Sequence, residues 1–238
     1  GIFSSLATSE GVDKILGGAL NDLGIRNEME SCNYTVAASG CYYDRDRQGF
    51  LPKLMEKMYN DRVKFKNEML DAKRKYEKEK TYELEKEIAR CHNMQLAKKI
   101  QLNSAYGALA NKFFRWFDTR FAESITKSGQ LSIRWMENKI NDYFNKALKT
   151  QGVDYVIAVD TDSMYIDFGP FIKKAFEGQQ SPSKEKIIDM IDKYCQQVLE
   201  PFIDKGYEEL AVYVNAYDQK MKMKREAIAD KGIFIAKK

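Results

Sequence analysis

The sequence predicts an α+β protein: an antiparallel sheet backed by helices, with an antiparallel helical pair as a second body. Three stretches carry that expectation. Val153–Phe168 sets two β-branched and aromatic runs on either side of Asp160-Thr161-Asp162, the pattern of a hairpin with an acidic tip. Residues 51 to 111 hold two helical periodicities separated by a charged tip, and residues 121 to 148 carry a long apolar repeat of helical period, that of a core helix behind a sheet.

The hairpin tip is the chemically pointed element. Side chains alternate faces along a strand, so Asp160 and Asp162, if both stay extended, aim their carboxylates the same way. Two such charges repel unless a cation neutralises them, and a hard divalent ion such as Mg²⁺ prefers oxygen ligands of this kind. An ordinary polar turn is the alternative, because Asp is common in turns.

Composition narrows the chemistry. The 238 residues allow one large domain or two small ones, and a net charge of +4 permits an anionic partner without demanding one. The chain shows neither an apolar run long enough for a bilayer nor a charged-then-apolar leader, so a cytoplasmic protein is expected. Gly at position 1 suggests a processed or partial chain. Cys32, Cys41, Cys91 and Cys195 lack C-x-x-C spacing, which points to reduced thiols rather than a zinc site or a disulfide framework. His92 is the only histidine and argues against a Ser-His-Asp or His-rich metal site. Carboxylates, lysines, arginines and metals remain.

Along the chain, residues 1 to 33 read as loop and short helix, with a helical turn at Val12–Leu16. Tyr34–Tyr43 is strand material broken by Gly40. A helix follows from Leu51, with Pro52 in its first turn and Leu51, Met55, Met58, Phe65 and Met69 as its stripe. Arg62 falls on that stripe and Lys66 lies one turn on; both can snorkel to water, or hold an anion. Residues 71 to 90 read as a solvated tip, and a second helix is expected from about Glu83 to Asn111. On it Lys99, Asn103 and Tyr106 share one face, suiting a ligand with phosphates at one end and a flat base at the other; Gly107 leaves room beside them.

Asn111–Asp118 interleaves aromatics with Lys112 and Arg115, fit either to stack on nucleic acid or to close an aromatic core junction. Ile125, Gly129, Ile133, Met136, Ile140, Phe144 and Leu148 mark the next helix, with Trp135 as packing. Beyond the hairpin a loop runs through Gln179–Ser183. Ile187, Ile191, Tyr194, Val198 and Phe202 then predict a helix that Pro201 kinks or stops. Lysine and methionine alternate from Lys220 to Lys224 at the strand period, predicting a strand with Met221 and Met223 beneath a solvated lysine face.

Lys99-Ile-Gln-Leu-Asn-Ser-Ala-Tyr-Gly107 matches the pattern K-x-x-x-N-S-x-Y-G of family B DNA polymerases, and Asp160-Thr-Asp-Ser163 resembles that family's second carboxylate motif at the expected distance downstream. The order of Gln48-Gly-Phe-Leu-Pro52, Asn60-Asp-Arg-Val-Lys-Phe-Lys66, Gly107–Asp118, Arg225-Glu-Ala-Ile228 and Lys237-Lys238 is similar to replicative polymerases of T-even-like bacteriophages. The resemblance is weakest before about Tyr34. It implies a palm over residues 1–50 and 112–238, with the catalytic hairpin at 153–168, and fingers made of the helical pair at 51–111.

By position, the resemblance implies that Arg62, Lys66 and Lys99 bind the triphosphate of an incoming deoxynucleotide. Asn103, Tyr106 and Gly107 would lie at the nascent base pair, facing the acidic tip across one cleft. Asp162 and Asp160 would be catalytic and hold two Mg²⁺ ions, and Thr161, Lys237 and Lys238 would touch primer-template DNA. The full enzyme would also engage a sliding clamp. The family's first carboxylate motif, D-x-x-S-L-Y, does not occur in the sequence. Nor are an exonuclease domain and a thumb recognisable. The expectation is a partial or split polymerase, inactive alone, with a non-catalytic nucleic-acid-binding remnant as the alternative. A helical-hairpin scaffold accounts for neither 99–107 nor 160–163.

Overall fold

A computed structural model describes residues 6–178 and 182–233. It divides into two compact units, Gly1–Tyr43 with Thr126–Lys238, and Asp44–Ile125. The architecture is α+β, as expected.

The first unit opens with α1 (Gly11–Leu16), a 3-10 turn at Ala19–Asn21 and α2 (Leu23–Ser31), which Asp22 caps by accepting the Gly24 N–H at 2.9 Å. Strands β1 (Tyr34–Val36) and β2 (Tyr42–Asp44) pair around Gly40. Its φ of +82° and a backbone nitrogen, that of Ala7, 2.3 Å from where a Cβ would stand leave glycine as the residue that fits.

The second unit is built on α3 (Phe50–Lys78) and α4 (Tyr82–Leu109). The solvated tip is shorter than the sequence suggests: helix continues to Lys78, and Thr81 caps α4 by accepting the Leu84 N–H at 3.4 Å. The ion pairs Asp61–Lys98 (3.3 Å) and Glu68–Arg90 (3.6 Å) match rising positions on α3 with falling positions on α4, so the helices run antiparallel. The predicted stripe is the packed face, with Met69 buried and Met55, Met58 and Phe65 half-buried.

Helix α5 (Thr119–Leu148) starts at Asp118, whose carboxylate accepts the Arg120 N–H at 2.9 Å. Its core stripe is Leu131, Ile133, Met136, Ile140 and Phe144. Ile125 and Gly129, placed on that stripe from the sequence, are exposed, so the buried apolar stripe begins at Leu131. Trp135 packs as expected, stacked on Tyr213, and donates to the Gly206 carbonyl at 2.9 Å.

Strands β3 (Val156–Asp160) and β4 (Ser163–Ile166) form the hairpin, antiparallel, with a bulge between Val156 and Ala158. Short α6 (Gly169–Ala175) follows; the start of the predicted loop, Gln179–Ser181, lies outside the described residues. Then α7 (Lys184–Tyr194), a π segment (Cys195–Leu199) and α8 (Glu200–Tyr213) make one run of helix. Pro201 neither stops it nor leaves it regular. Its ring conflicts with the carbonyl four residues back, and the chain inserts an extra residue just before it, with the Glu200 N–H reaching the Cys195 carbonyl. That insertion moves the buried stripe to Cys195, Leu199, Ile203, Tyr207 and Leu210 and turns Val198 outward.

The predicted strand over Lys220–Lys224 does not form. The segment carries no regular secondary structure and pairs with no strand among the described residues, and Met221 is exposed while Met223 packs on the core. No helix of the described residues is long and apolar enough to cross a membrane.

Candidate functional site

The hairpin is held from behind by two amides one turn apart on α5. Asn141 Oδ1 accepts the Tyr155 and Val156 N–H groups at 2.8 and 3.0 Å. Asn145 accepts the Val153 N–H at 3.1 Å through Oδ1 and donates to the Val153 carbonyl at 2.8 Å through Nδ2. Thr150 links both ends of this lattice, donating to Asn145 at 2.9 Å and meeting the Tyr155 hydroxyl at 2.8 Å. Beneath, Tyr155 is buried against Phe144, with ring centroids 5.4 Å apart. A polar residue on a helix carries no local sign of such a partner, which is why sequence reasoning missed Asn141 and Asn145.

At the far end the chain reverses within Asp160-Thr161-Asp162. Thr161 has φ +54°, an uncommon state for a β-branched residue, and the Asp162 N–H reaches the Asp160 carbonyl at 2.6 Å, the i to i+2 bond of a γ-turn. The condition that both aspartates stay extended is therefore not met: Asp160 ends β3, and Asp162 belongs to the turn before Ser163, which pairs with Asp160. Local bonds shape the tip, Thr161 Oγ1 donating to Asp160 Oδ1 at 3.1 Å and Ser163 Oγ to the Asp160 carbonyl at 3.2 Å. Both carboxylates are exposed, and Asp162 makes no ion pair among the described residues. Burial pushes the Tyr207 phenol up, and the charge of Asp162 adds to that shift.

In the helical pair, the cross-seam ion pairs set Arg62 and Lys99 at nearly the same level, with Lys66 about 6 Å further along α3 at 1.5 Å per residue. Lys66, Lys99 and Asn103 are exposed, Tyr106 is 44% exposed, and a Cβ on Gly107 would meet open space. Arg62 is half-buried, and its Nε lies buried with no hydrogen-bond partner. A buried orphan donor on a cation fits an anionic ligand. At residues 113–117 Phe50, Phe114 and Trp116 pack edge to face at 5.0 and 5.5 Å as an aromatic junction, while Phe113 projects 86% exposed beside Lys112. Lys237 and Lys238 lie outside the described residues.

Among the described residues, Glu68, Glu87 and Cys91 group as potential metal donors. Arg90 already lies 3.6 Å from Glu68 and 2.6 Å from Glu87, so this is an ion-pair knot. The Arg90 hydrogen bond, and then that of Cys91, hold the Glu87 carboxyl down to about 2. Burial above all pushes the Cys91 thiol up.

In chain order these are a long antiparallel helical pair, a core helix and a hairpin with an acidic turn. The model of DNA polymerase family B matches residues 16–181, and the chain belongs to that family. Among its relatives, the DNA-directed DNA polymerase of Escherichia phage RB69 is 31% identical over 85% of this chain, and that of Enterobacteria phage T4 is 30% identical over 84%. A DNA polymerase delta catalytic subunit from Drosophila melanogaster is 24% identical over 65% of the chain. The chain spans 27% of the length of either phage polymerase.

Proposed function

We propose that this chain is the palm and fingers portion of a replicative DNA polymerase, working in template-directed addition of deoxynucleotides to a primer 3′-hydroxyl. The Asp160-Thr161-Asp162 turn, at the free end of a hairpin whose entry is stapled to α5, presents an exposed Asp162 carboxylate and carries the reading in a chain of family B. In the reaction the 3′ oxygen attacks the α-phosphorus, the bond to the β-phosphate oxygen breaks, and pyrophosphate leaves. Arg62, Lys66 and Lys99 neutralise the triphosphate, the orphaned Arg62 Nε finding an acceptor there. Asn103 and Tyr106 bear on the base pair, with Gly107 open beside them. Thr161, Lys237 and Lys238 are assigned to primer and template.

Two exposed carboxylates fit a hard divalent cation such as Mg²⁺, which when bound supplies charge neutralisation at the attacking and leaving oxygens. A two-ion site needs a further carboxylate, and the D-x-x-S-L-Y motif that would bring it is assigned to polypeptide beyond these 238 residues. The remaining partners in this reading are the other polymerase segments and a sliding clamp, working in the cytoplasm.

Primer extension tests it. With the missing segments supplied, Asp162→Asn should lower nucleotide addition at least about 100-fold while DNA affinity holds. Unchanged extension would favour a non-catalytic nucleic-acid-binding subunit. Robust extension by the chain alone would refute the need for another carboxylate.

A further inference from the structure

Within the hairpin the two strands lose step once. Ala158 stands opposite Tyr165, Val159 opposite Met164 and Asp160 opposite Ser163, but the register slips by one between Ala158 and Val156, which faces Ile166. Ile157 is the extra residue of this bulge, and its side chain is exposed. Residues directly opposite share a face of the sheet, and faces alternate along a strand. Met164 and Ile166 pack on the core, so theirs is the inner face, and Val156 lies buried on it. Asp160 stands with Ala158, Ser163 and exposed Tyr165 on the outer face.

The bulge decides that placement. A regular strand starting inward at Val156 would point inward again at Ala158 and at Asp160, because its faces alternate. The extra residue carries both outward instead, so a slip of one separates an outward carboxylate from one aimed at the Met164 side.

Asn141 of α5 sits at the foot of the bulge. In a regular antiparallel strand successive N–H groups point to opposite sides. The N–H groups of Tyr155 and Val156 both reach Asn141 Oδ1, at 2.8 and 3.0 Å, so the backbone is kinked where the register slips. An amide oxygen has two lone pairs and can take both. Backbone N–H groups only donate, so the oxygen end of the amide faces the strand, and the nitrogen end donates to Asp154 Oδ1 at 3.2 Å. The Asp167 N–H donates to the Tyr155 carbonyl at 2.8 Å, which ties β4 to the same point.

We propose that Asn141 is a positioning residue for nucleotide addition: by accepting two successive N–H groups it holds the bulge at Ile157, and the bulge sets the face on which β3 presents Asp160. The inference rests on the reading of Asp160 and Asp162 as the carboxylates of the reaction, and goes beyond it in naming the residue that fixes their register. Asn141 itself touches no reacting atom. Its effect passes through the strand.

Register and rate are read separately. In the full chain, backbone NOEs across the hairpin should join Ala158 to Tyr165 and Val159 to Met164. Asn141→Ala should weaken these and bring up NOEs from Ile157 to Tyr165 and from Ala158 to Met164, the pairing of a ladder without the bulge. With the missing polymerase segments supplied, the same variant should lower kcat about 10- to 100-fold, the scale on which small misplacements act, while KM for the deoxynucleotide and DNA affinity hold. Exchanging the pair, Asn141→Asp with Asp154→Asn, keeps an acceptor for the two N–H groups and a donor opposite it, and should restore both the NOEs and kcat. Trp135→Phe breaks the bond to the Gly206 carbonyl and controls for lost stability alone; it should keep the parental NOEs and kcat.

Parental NOEs in Asn141→Ala, a kcat loss that Trp135→Phe shares, or failure of the exchanged pair to recover would overturn the inference and leave the polymerase reading standing. If Asp162→Asn does not slow extension, the carboxylate reading falls and the positioning role with it, while the NOEs still decide whether Asn141 places the bulge.

Discussion

The two units hold their functional candidates by opposite means. In the unit bearing the hairpin, Met136, Ile140, Phe144 and Tyr155 are almost wholly buried, and two asparagine amides fasten the strand entry to the core helix. In the helical pair the buried apolar side chains are Met69, Ala72 and Cys91, while Leu54, Tyr59, Val63, Leu96 and Ile100 are exposed. A deep core holds the elements that carry the turn; a two-helix seam fixes the level of side chains along an axis and gives their ends less support. In the proposed reading, carboxylates sharing a metal draw on the first kind of support, and long cations following a triphosphate tolerate the second.

The largest test of that contrast is truncation at each seam. Phe144→Ala should cost about 3–5 kcal/mol in a denaturant melt, whereas Met69→Ala should fall near the low end of the 2–5 kcal/mol range for such changes. Equal costs would dissolve the distinction. Next comes the amide staple: Asn141→Ala strands the Tyr155 and Val156 N–H groups and should cost about 1–3 kcal/mol, with exchange at these two amides accelerating before exchange elsewhere in β3. A smaller effect of opposite sign is expected at the tip. Thr161→Gly relieves a positive φ and should stabilise the fold by up to about 1 kcal/mol, while nucleotide addition by the assembled enzyme falls because the carboxylates lose their fixed spacing.

The smallest effect concerns pH in the helical pair. Glu87 has its folded value depressed to about 2 from 4.5, so the stability it contributes is present above about 4.5 and is lost as pH falls towards 2. An NMR titration of the Glu87 carboxyl should show that low midpoint, and Arg90→Gln should return it towards 4.5. A midpoint unchanged by Arg90→Gln would remove the ion-pair knot from the account.

Much of this fold is written locally. The stripe from Leu51 to Met69, the β-branched runs around Asp160 and the break at Gly40 each reflect a period or a backbone preference within a few residues. What escaped has long-range causes. Asn141 and Asn145 acquire meaning only when a strand start arrives above them, and Arg225 only when Asp192 comes within reach. The lysine and methionine alternation at 220–224 has a strand period without a strand, since a ladder needs a neighbour and the segment meets a helix instead. At the tip, the residue types were legible but the turn was not. A β-branched residue with positive φ runs against propensity, and such conflicts with local preference concentrate where function overrides it.

The π segment before Pro201 also bears on how this chain can change length. Each residue advances an α-helix by about 100°, so deleting one residue from Cys195–Leu199 would regularise the helix and swing Ile203, Tyr207 and Leu210 about a quarter-turn away from their seats. Such an indel should be tolerated far less well than a conservative exchange of any one of those side chains, so the residue count between α7 and α8 is under tighter constraint than its composition.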